Sequence, residues 1–189
     1  MYSFFESLNS YPIIACINNL DKLDMALNSH CENIYIMTGN IFNLKEISQK
    51  VKAKNKGLFI SVESIDGFSK DTWGLEYIVK NIELNGIITR KHNLVKQCKD
   101  MGVFTIEKLF IHDSTELMDN ISSLKALRPH AIDISPGVVT KVITKISQEL
   151  RLPVIASGLI ENKKDVELAL NAGAIGISSS NPTTWKLHI

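Results

Sequence analysis

The sequence predicts an α/β protein, a closed barrel of eight parallel strands with outer helices, in a single domain over residues 1–189. Two observations predict it. Short β-branched apolar runs recur along the chain, many introduced by Gly or Pro (Pro12, Gly57, Gly86, Gly102, Pro129, Pro153). Between them lie segments with helical periodicity, so the connections are crossovers and the strands parallel. Eight alternations in 189 residues give about 24 residues per unit, which suits a compact TIM-like (β/α)8 barrel. A doubly wound open sheet is the competing arrangement.

The strands are expected at Ile13–Ile17, Asn33–Met37, Leu58–Val62, Gly86–Ile88, Val103–Ile106, Ala131–Ile134, Val154–Ala156 and Ala174–Ser178. Leu44, Ile47 and Val51 mark the apolar stripe of one helix, and Leu75, Ile78, Val79 and Ile82 that of the next. Leu94, Val95, Cys98 and Met101 mark a third; Leu117, Ile121 and Leu124 a fourth. The last of these stripes runs from Val138 and Val139 through Val142, Ile143 and Ile146 to Leu150.

Composition excludes several classes. Hydrophobic residues make up 44% and charged residues 22%, as in ordinary globular proteins. A net charge of +1 gives no global pull toward nucleic acid or membrane, so any RNA contact must be a local patch. No apolar stretch approaches the ~20 residues needed to span a bilayer. The N-terminus lacks a basic region ahead of its short apolar run, so no signal peptide is expected. Cys16, Cys31 and Cys98 form no CxxC and cannot all pair, which fits reduced thiols and a cytoplasmic location.

Strand parity indicates where a site would lie. Phe59, Ser61 and Glu63 share one face of their strand, Asp133 and Ser135 share one face of theirs, and Thr105 and Glu107 oppose Ile106. Helices cover the outside of a barrel, so the aliphatic faces should point outward and the polar faces inward. Ligand sites of such barrels lie at the carboxyl-end mouth.

The sharpest local signal is Ala156-Ser157-Gly158-Leu159-Ile160 followed by Ser178-Ser179-Ser180-Asn181-Pro182. Gly158 lets backbone approach a ligand, and Asn181-Pro182 has the form of a helix N-cap and first turn. Loops after the last two strands are the usual phosphate site of this architecture. Gly158, Leu159, Ser178, Ser179, Ser180 and Asn181 are therefore candidate phosphate ligands, with Gly137 of the Pro136-Gly137 turn and Lys141 one turn beyond.

Asn18, Glu63, Asp66, Glu107, Lys108 and Asp133 stand at or just past strand ends. Such a set serves acid–base catalysis, or binds hydroxyls or a metal. No HxxxH or Cys/His array suggests zinc, and neither GxGxxG nor GxxxxGK[ST] occurs, so no cofactor or metal is expected. Basic residues cluster at Lys50, Lys52, Lys54 and Lys56, where they suit a helix C-terminus. A second group, Arg90, Lys91, His92, Lys96 and Lys99, begins at the mouth.

The whole chain resembles the glycerol-3-phosphate-responsive antiterminators. The resemblance runs through Pro12-Ile13-Ile14-Ala15, Gly39-Asn40-Ile41, Val62-Glu63-Ser64-Ile65-Asp66-Gly67, Gly86-Ile87-Ile88-Thr89 and Thr105-Ile106-Glu107-Lys108. It continues with Asp113-Ser114, Pro136-Gly137, Lys141, Gly158-Leu159-Ile160, Ser179-Ser180-Asn181 and Trp185. It implies a non-enzymatic barrel that binds glycerol 3-phosphate and then acts on leader mRNA to prevent premature transcription termination. On that basis Asn18, Glu63, Asp66, Lys108 and Asp133 are expected to hold the polyol, and Arg90, Lys91 and Lys96 the RNA.

The chain departs from the family where Ser61-Val62-Glu63 replaces His-Val-Asp. It departs again at Ser135, often Leu, and at Glu107-Lys108, often Gln-Arg. Those changes reshape the polyol end and leave the phosphate end intact. The alternatives are a phosphosugar isomerase or lyase of the same barrel type, and a ligand sensor acting on a protein partner. A homo-oligomer is left open.

Overall fold

A computed structural model describes residues 3–189. Its eight strands are β1 Ile13–Ile17, β2 Asn33–Ile36, β3 Gly57–Ser61, β4 Gly86–Thr89, β5 Thr105–Phe110, β6 Ala131–Ser135, β7 Val154–Ser157 and β8 Gly176–Ser179. They pair in parallel in sequence order, and β8 returns to β1 in the register Ile13↔Ile177, closing the barrel. The helices are α1 Phe4–Ser10, α2 Leu23–Leu27, α3 Leu44–Ala53, α4 Thr72–Asn81, α5 His92–Asp100, α6 Ser114–Leu127, α7 Thr140–Leu150 and α8 Lys163–Asn171. Among the described residues no helix is long and apolar enough to cross a membrane.

The five helical stripes read from the sequence are α3 to α7. Side-chain caps explain where several begin. Asp71 accepts from the N–H groups of Trp73 and Gly74 at 3.0 and 3.1 Å, Asp113 from Glu116 at 2.8 Å, and Asn162 forms a capping box with Asp165. Helices α1, α2 and α8 are not among those stripes; α1 and α2, at seven and five residues, are too short to show a helical period.

Apolar burial is divided between two shells. Outward strand residues such as Ala15, Ile36, Ile60 and Ile87 pack against Leu44, Ile47, Leu75 and Leu94 of the helices. On the far side Ile132, Ile134 and Ile177 meet Ile121, Ile143 and Val166. Inside the barrel, Ile14, Tyr35, Phe59, Ile88, Ile106 and Ile155 are joined by Phe4 and Leu8 of α1. Ring centroids of Phe4 lie 4.7 Å from Phe59 and 5.2 Å from Phe104. Helix α1 thus plugs the amino-terminal end with aromatic rings, and polar groups are left to the other end.

Two expectations about parity are corrected here. In β5 the inward residues are Ile106 and Lys108, while Thr105 and Glu107 face outward. Ile106 packs in the barrel interior; the Thr105 hydroxyl turns back to the Val103 carbonyl at 2.8 Å, and Glu107 meets His92 at the start of α5. A polar side chain can face a helix when that helix supplies its partner, and this broke the rule that polar means inward. In β3, the alternation stops at Ser61, because Val62–Ser64 form a 3-10 turn. Glu63 is thereby turned toward β4 instead of following Phe59 and Ser61 into the lumen.

Candidate ligand site at the barrel mouth

At the carboxyl end the lumen changes from apolar to polar. Lys108 of β5 donates 2.8 Å hydrogen bonds to Asp133 Oδ1 of β6 and to Ser157 Oγ of β7. The Ser157 hydroxyl also donates to the same carboxylate oxygen. The three strands are consecutive, so the neighbouring registers Lys108↔Asp133 and Asp133↔Ile155 bring these side chains together without any loop. Asp133 Oδ2 is buried and has no partner among the described residues. Cys16 and Ser178 complete this layer; burial pushes the Cys16 thiol up to about 11, with Lys108 opposing and Asp133 adding to the effect. Cys16 is therefore a neutral thiol at physiological pH.

Above this layer, the turn after β7 places Gly158 (φ 75°) and Leu159 (φ 60°) consecutively in the left-handed region. Among the described residues their backbone N–H groups find no acceptor, and neither does that of Ser180 after β8. Such free N–H groups suit an anion. Lys22, in the 3-10 turn that follows β1, donates to the Ser180 carbonyl at 3.3 Å and brings a cation to the same corner.

Several candidate phosphate ligands have other roles. Gly137 gives its N–H to the carbonyls of Ser157 and Gly158, at 2.5 and 3.1 Å. A Cβ there would stand 2.7 Å from the Ser157 nitrogen, so its smallness serves loop packing. Lys141 is exposed on α7 beside Thr144, Lys145 and Gln148. Ser179 accepts from Asn181 N at 3.2 Å through its hydroxyl, and its carbonyl accepts from the Trp185 indole at 2.7 Å. Asn181-Pro182 does not open an α-helix. Asn181 Oδ1 accepts from Thr183 N at 3.0 Å in a turn, followed by the single 3-10 turn Thr184–Lys186. Ser178 remains in the polar layer.

The polyol candidates also divide. Lys108 and Asp133 are joined in the lumen. Glu63 is bound instead by the Thr89 hydroxyl and by the Arg90 N–H at 3.2 Å. Across the Thr89↔Glu107 register, Glu107 pairs with His92 of α5; burial raises the Glu107 pKa, opposed by His92. Asn18 and Asp66 are exposed, and Asp66 pairs through its backbone with Gly39 and Ile41, at 2.9 and 3.0 Å. Of the basic group, Arg90, Lys91 and Lys96 are all exposed. Lys91 donates to the Lys70 carbonyl at 2.7 Å, and Arg90 lies 6.0 Å from the centroid of Phe110. Sequence reasoning missed Lys22 and Ser157 as site residues, along with Cys16 and Phe110. An inward parity assigned to Lys108, in place of Glu107, would have pointed to Ser157 and Phe110. Lys22 carries no signal, since only the closure of β8 on β1 brings it near Ser180.

Fold and mouth together define a (β/α)8 barrel with a small polar lumen and a cationic corner suited to an anion. The chain belongs to the glycerol-3-phosphate responsive antiterminator family, whose model matches residues 13–185. It is 32% identical over 180 residues to the Escherichia coli (strain K12) protein YgcP, itself described as uncharacterized, covering 95% of this chain and 94% of that one. The glycerol uptake operon antiterminator regulatory protein of Listeria monocytogenes superposes with a TM-score of 0.90 at 25% identity, over 94% of this chain and 96% of that one. An antiterminator-related protein of Thermotoga maritima gives 0.83 at 25% identity, over 93% and 98%.

Proposed function

We propose that this chain binds glycerol 3-phosphate, or a similar small phosphorylated polyol, in the mouth of its barrel. In that state it binds leader mRNA of glycerol-utilisation genes and prevents premature termination, without catalysing a reaction. The observation that carries the ligand half is the Lys108–Asp133–Ser157 cluster beside the free N–H groups of Gly158 and Leu159. Asp133 Oδ2 is an acceptor for a ligand hydroxyl, and the Gly158 turn with Lys22 meets a phosphate. Of the carboxylates that would complete an acid–base set, Glu63 is taken up by Thr89 and the Arg90 N–H, and Glu107 by His92 of α5. That favours recognition over turnover. The family supports the RNA half.

The test is thermal unfolding with graded glycerol 3-phosphate, followed by titration of a leader transcript with and without it. A ligand bound only to the folded state adds about 2.7 kcal/mol at one hundred times its Kd, a clear rise in Tm. No rise would overturn the ligand assignment, turnover of the compound would overturn the non-enzymatic one, and RNA affinity indifferent to ligand would overturn the gating.

A further inference from the structure

Large aromatic side chains are rarely left in water. Phe42 is 91% exposed in the loop after β2 and Trp73 is 77% exposed in the first turn of α4, both at the mouth end of the barrel. Neither supports the core. The loop after β2, which carries Phe42, is tied to the loop after β3 by the Asn40↔Asp66 bridge and by Ile41 N–H donating to the Asp66 carbonyl at 3.0 Å. The β3 loop leads through Lys70 into α4, whose second residue is Trp73. Lys91 Nζ binds the Lys70 carbonyl at 2.7 Å, and Gln97 donates to Thr72 at 2.6 Å, joining the loop after β4 and helix α5 to the same sector. Three consecutive loops and the first turn of α4, joined by these bonds, therefore carry two bare aromatic rings and the exposed cations Lys70, Arg90 and Lys91. Two acids accompany them. Asp71 spends its carboxylate on Ser69 and the first N–H groups of α4, and Asp66 is exposed.

From this placement we infer that the sector is a stacking surface for unpaired RNA bases, with Phe42 and Trp73 as platforms and Lys70, Arg90 and Lys91 as backbone contacts. The inference rests on the RNA half of the proposed function and names the surface and the form of RNA it takes. Aromatic faces accept any base and cations alone favour any phosphate chain, but the two together select single strands, because paired bases keep their faces stacked inside the duplex. A protein with net charge +1 has no general attraction to a polyanion, so stacking supplies affinity that charge does not.

The chain carries its own probe. It has two tryptophans, Trp73 and the fully buried Trp185, so quenching of exposed emission reports Trp73. The experiment titrates a leader transcript, an unstructured oligouridylate 20-mer and a 20-base-pair RNA duplex into wild type, Trp73→Ala and Phe42→Ala, with glycerol 3-phosphate present. Binding is read by anisotropy of labelled RNA and by tryptophan emission. Single-stranded RNA should quench the wild type and bind better than the duplex, and each substitution should weaken binding by roughly tenfold or more. Because both rings are exposed, neither variant should unfold earlier than wild type. Leader binding that neither substitution weakens would overturn the stacking surface and leave the RNA reading standing. Failure of the wild type to bind any of the three RNAs would overturn both. A wild-type dimer that either substitution dissociates would assign the rings to a second copy and overturn the proposal.

Discussion

Lys108 and Asp133 form a buried pair, their side chains 14% and 1% exposed, and such a pair is costly to break from one side. Lys108→Met leaves the Asp133 carboxylate without its cation, and should destabilise the ligand-free protein by ~3–5 kcal/mol at neutral pH. The double variant Lys108→Met/Asp133→Leu should recover most of this loss, while both lose the ligand. Urea unfolding of the four proteins of the cycle measures it; additive losses would mean that the pair is not coupled. The phosphate corner separates two lysines. Lys22→Ala should weaken glycerol 3-phosphate binding by the ~1.5–3 kcal/mol of a charge-assisted contact, and Lys141→Ala should leave it unchanged. Calorimetric titration giving the reverse order would restore α7 as the anion site. His130 gives a pH test. Its Nδ1 accepts from Thr105 N–H at 3.0 Å while its ring stacks on Phe104, and burial, with Lys99 adding, holds its pKa below the usual histidine value. The unfolded chain takes up the proton first as pH falls, so stability present at neutral pH is lost on acidification below about 6.5. His130→Gln should lose less Tm than wild type between neutral pH and pH 5; parallel losses would show that His130 does not contribute.

At the scale of elements, strand positions were legible because β-branched runs between Gly and Pro have few other uses. Their ends and facing were less so. Val103–Ile106 became Thr105–Phe110, and its parity reversed, because α5 offers Glu107 a partner in His92 that no local rule can anticipate. The Glu63 position failed for a related reason, since a 3-10 turn ended the alternation one residue before it. Gly158 was readable as a special backbone position and does adopt φ 75°. Gly137 was readable as a turn glycine, but its packing against Ser157 comes from the neighbouring strand. A Cβ at Gly137 meets backbone at 2.7 Å, whereas one at Gly158 meets the rotatable hydroxyl of Ser135. Helix α1 was invisible because its apolar face is short. Its Phe4 nonetheless fills the base of the barrel, held by Ser7 to Asn33 at 2.8 Å. Phe4→Ala should therefore cost ~3–5 kcal/mol, against near zero for the exposed Phe42→Ala. Equal Tm values for the two variants would mean that α1 does not plug the barrel.

For the whole molecule, a ligand in the lumen can alter RNA affinity only if it favours one arrangement of the outer surface over another. The closely packed strands give little, so coupling must pass through side chains at the rim. Phe110 is placed to carry it. It follows Ile106 and Lys108 on the inward face of β5, at the open end of the barrel, and is 39% exposed. Lys108 Nζ, of the proposed ligand site, lies 5.5 Å from its ring centroid, and the guanidinium of Arg90, of the proposed RNA surface, 6.0 Å from it. A ligand that draws Lys108 away from the ring changes what that ring offers Arg90, whose cation–π contact is worth about 0.5–1 kcal/mol at an exposed site. Coupling is reciprocal, so RNA must tighten glycerol 3-phosphate by the same factor that the ligand tightens RNA. Phe110→Leu keeps an apolar side chain at the rim and removes the π face. The variant should bind ligand alone and RNA alone nearly as wild type does, while the factor between ligand-bound and ligand-free RNA affinity falls toward one. Anisotropy titrations with and without ligand, paired with calorimetry with and without RNA, measure that factor twice. An unchanged factor in Phe110→Leu would remove this ring from the path between the two surfaces.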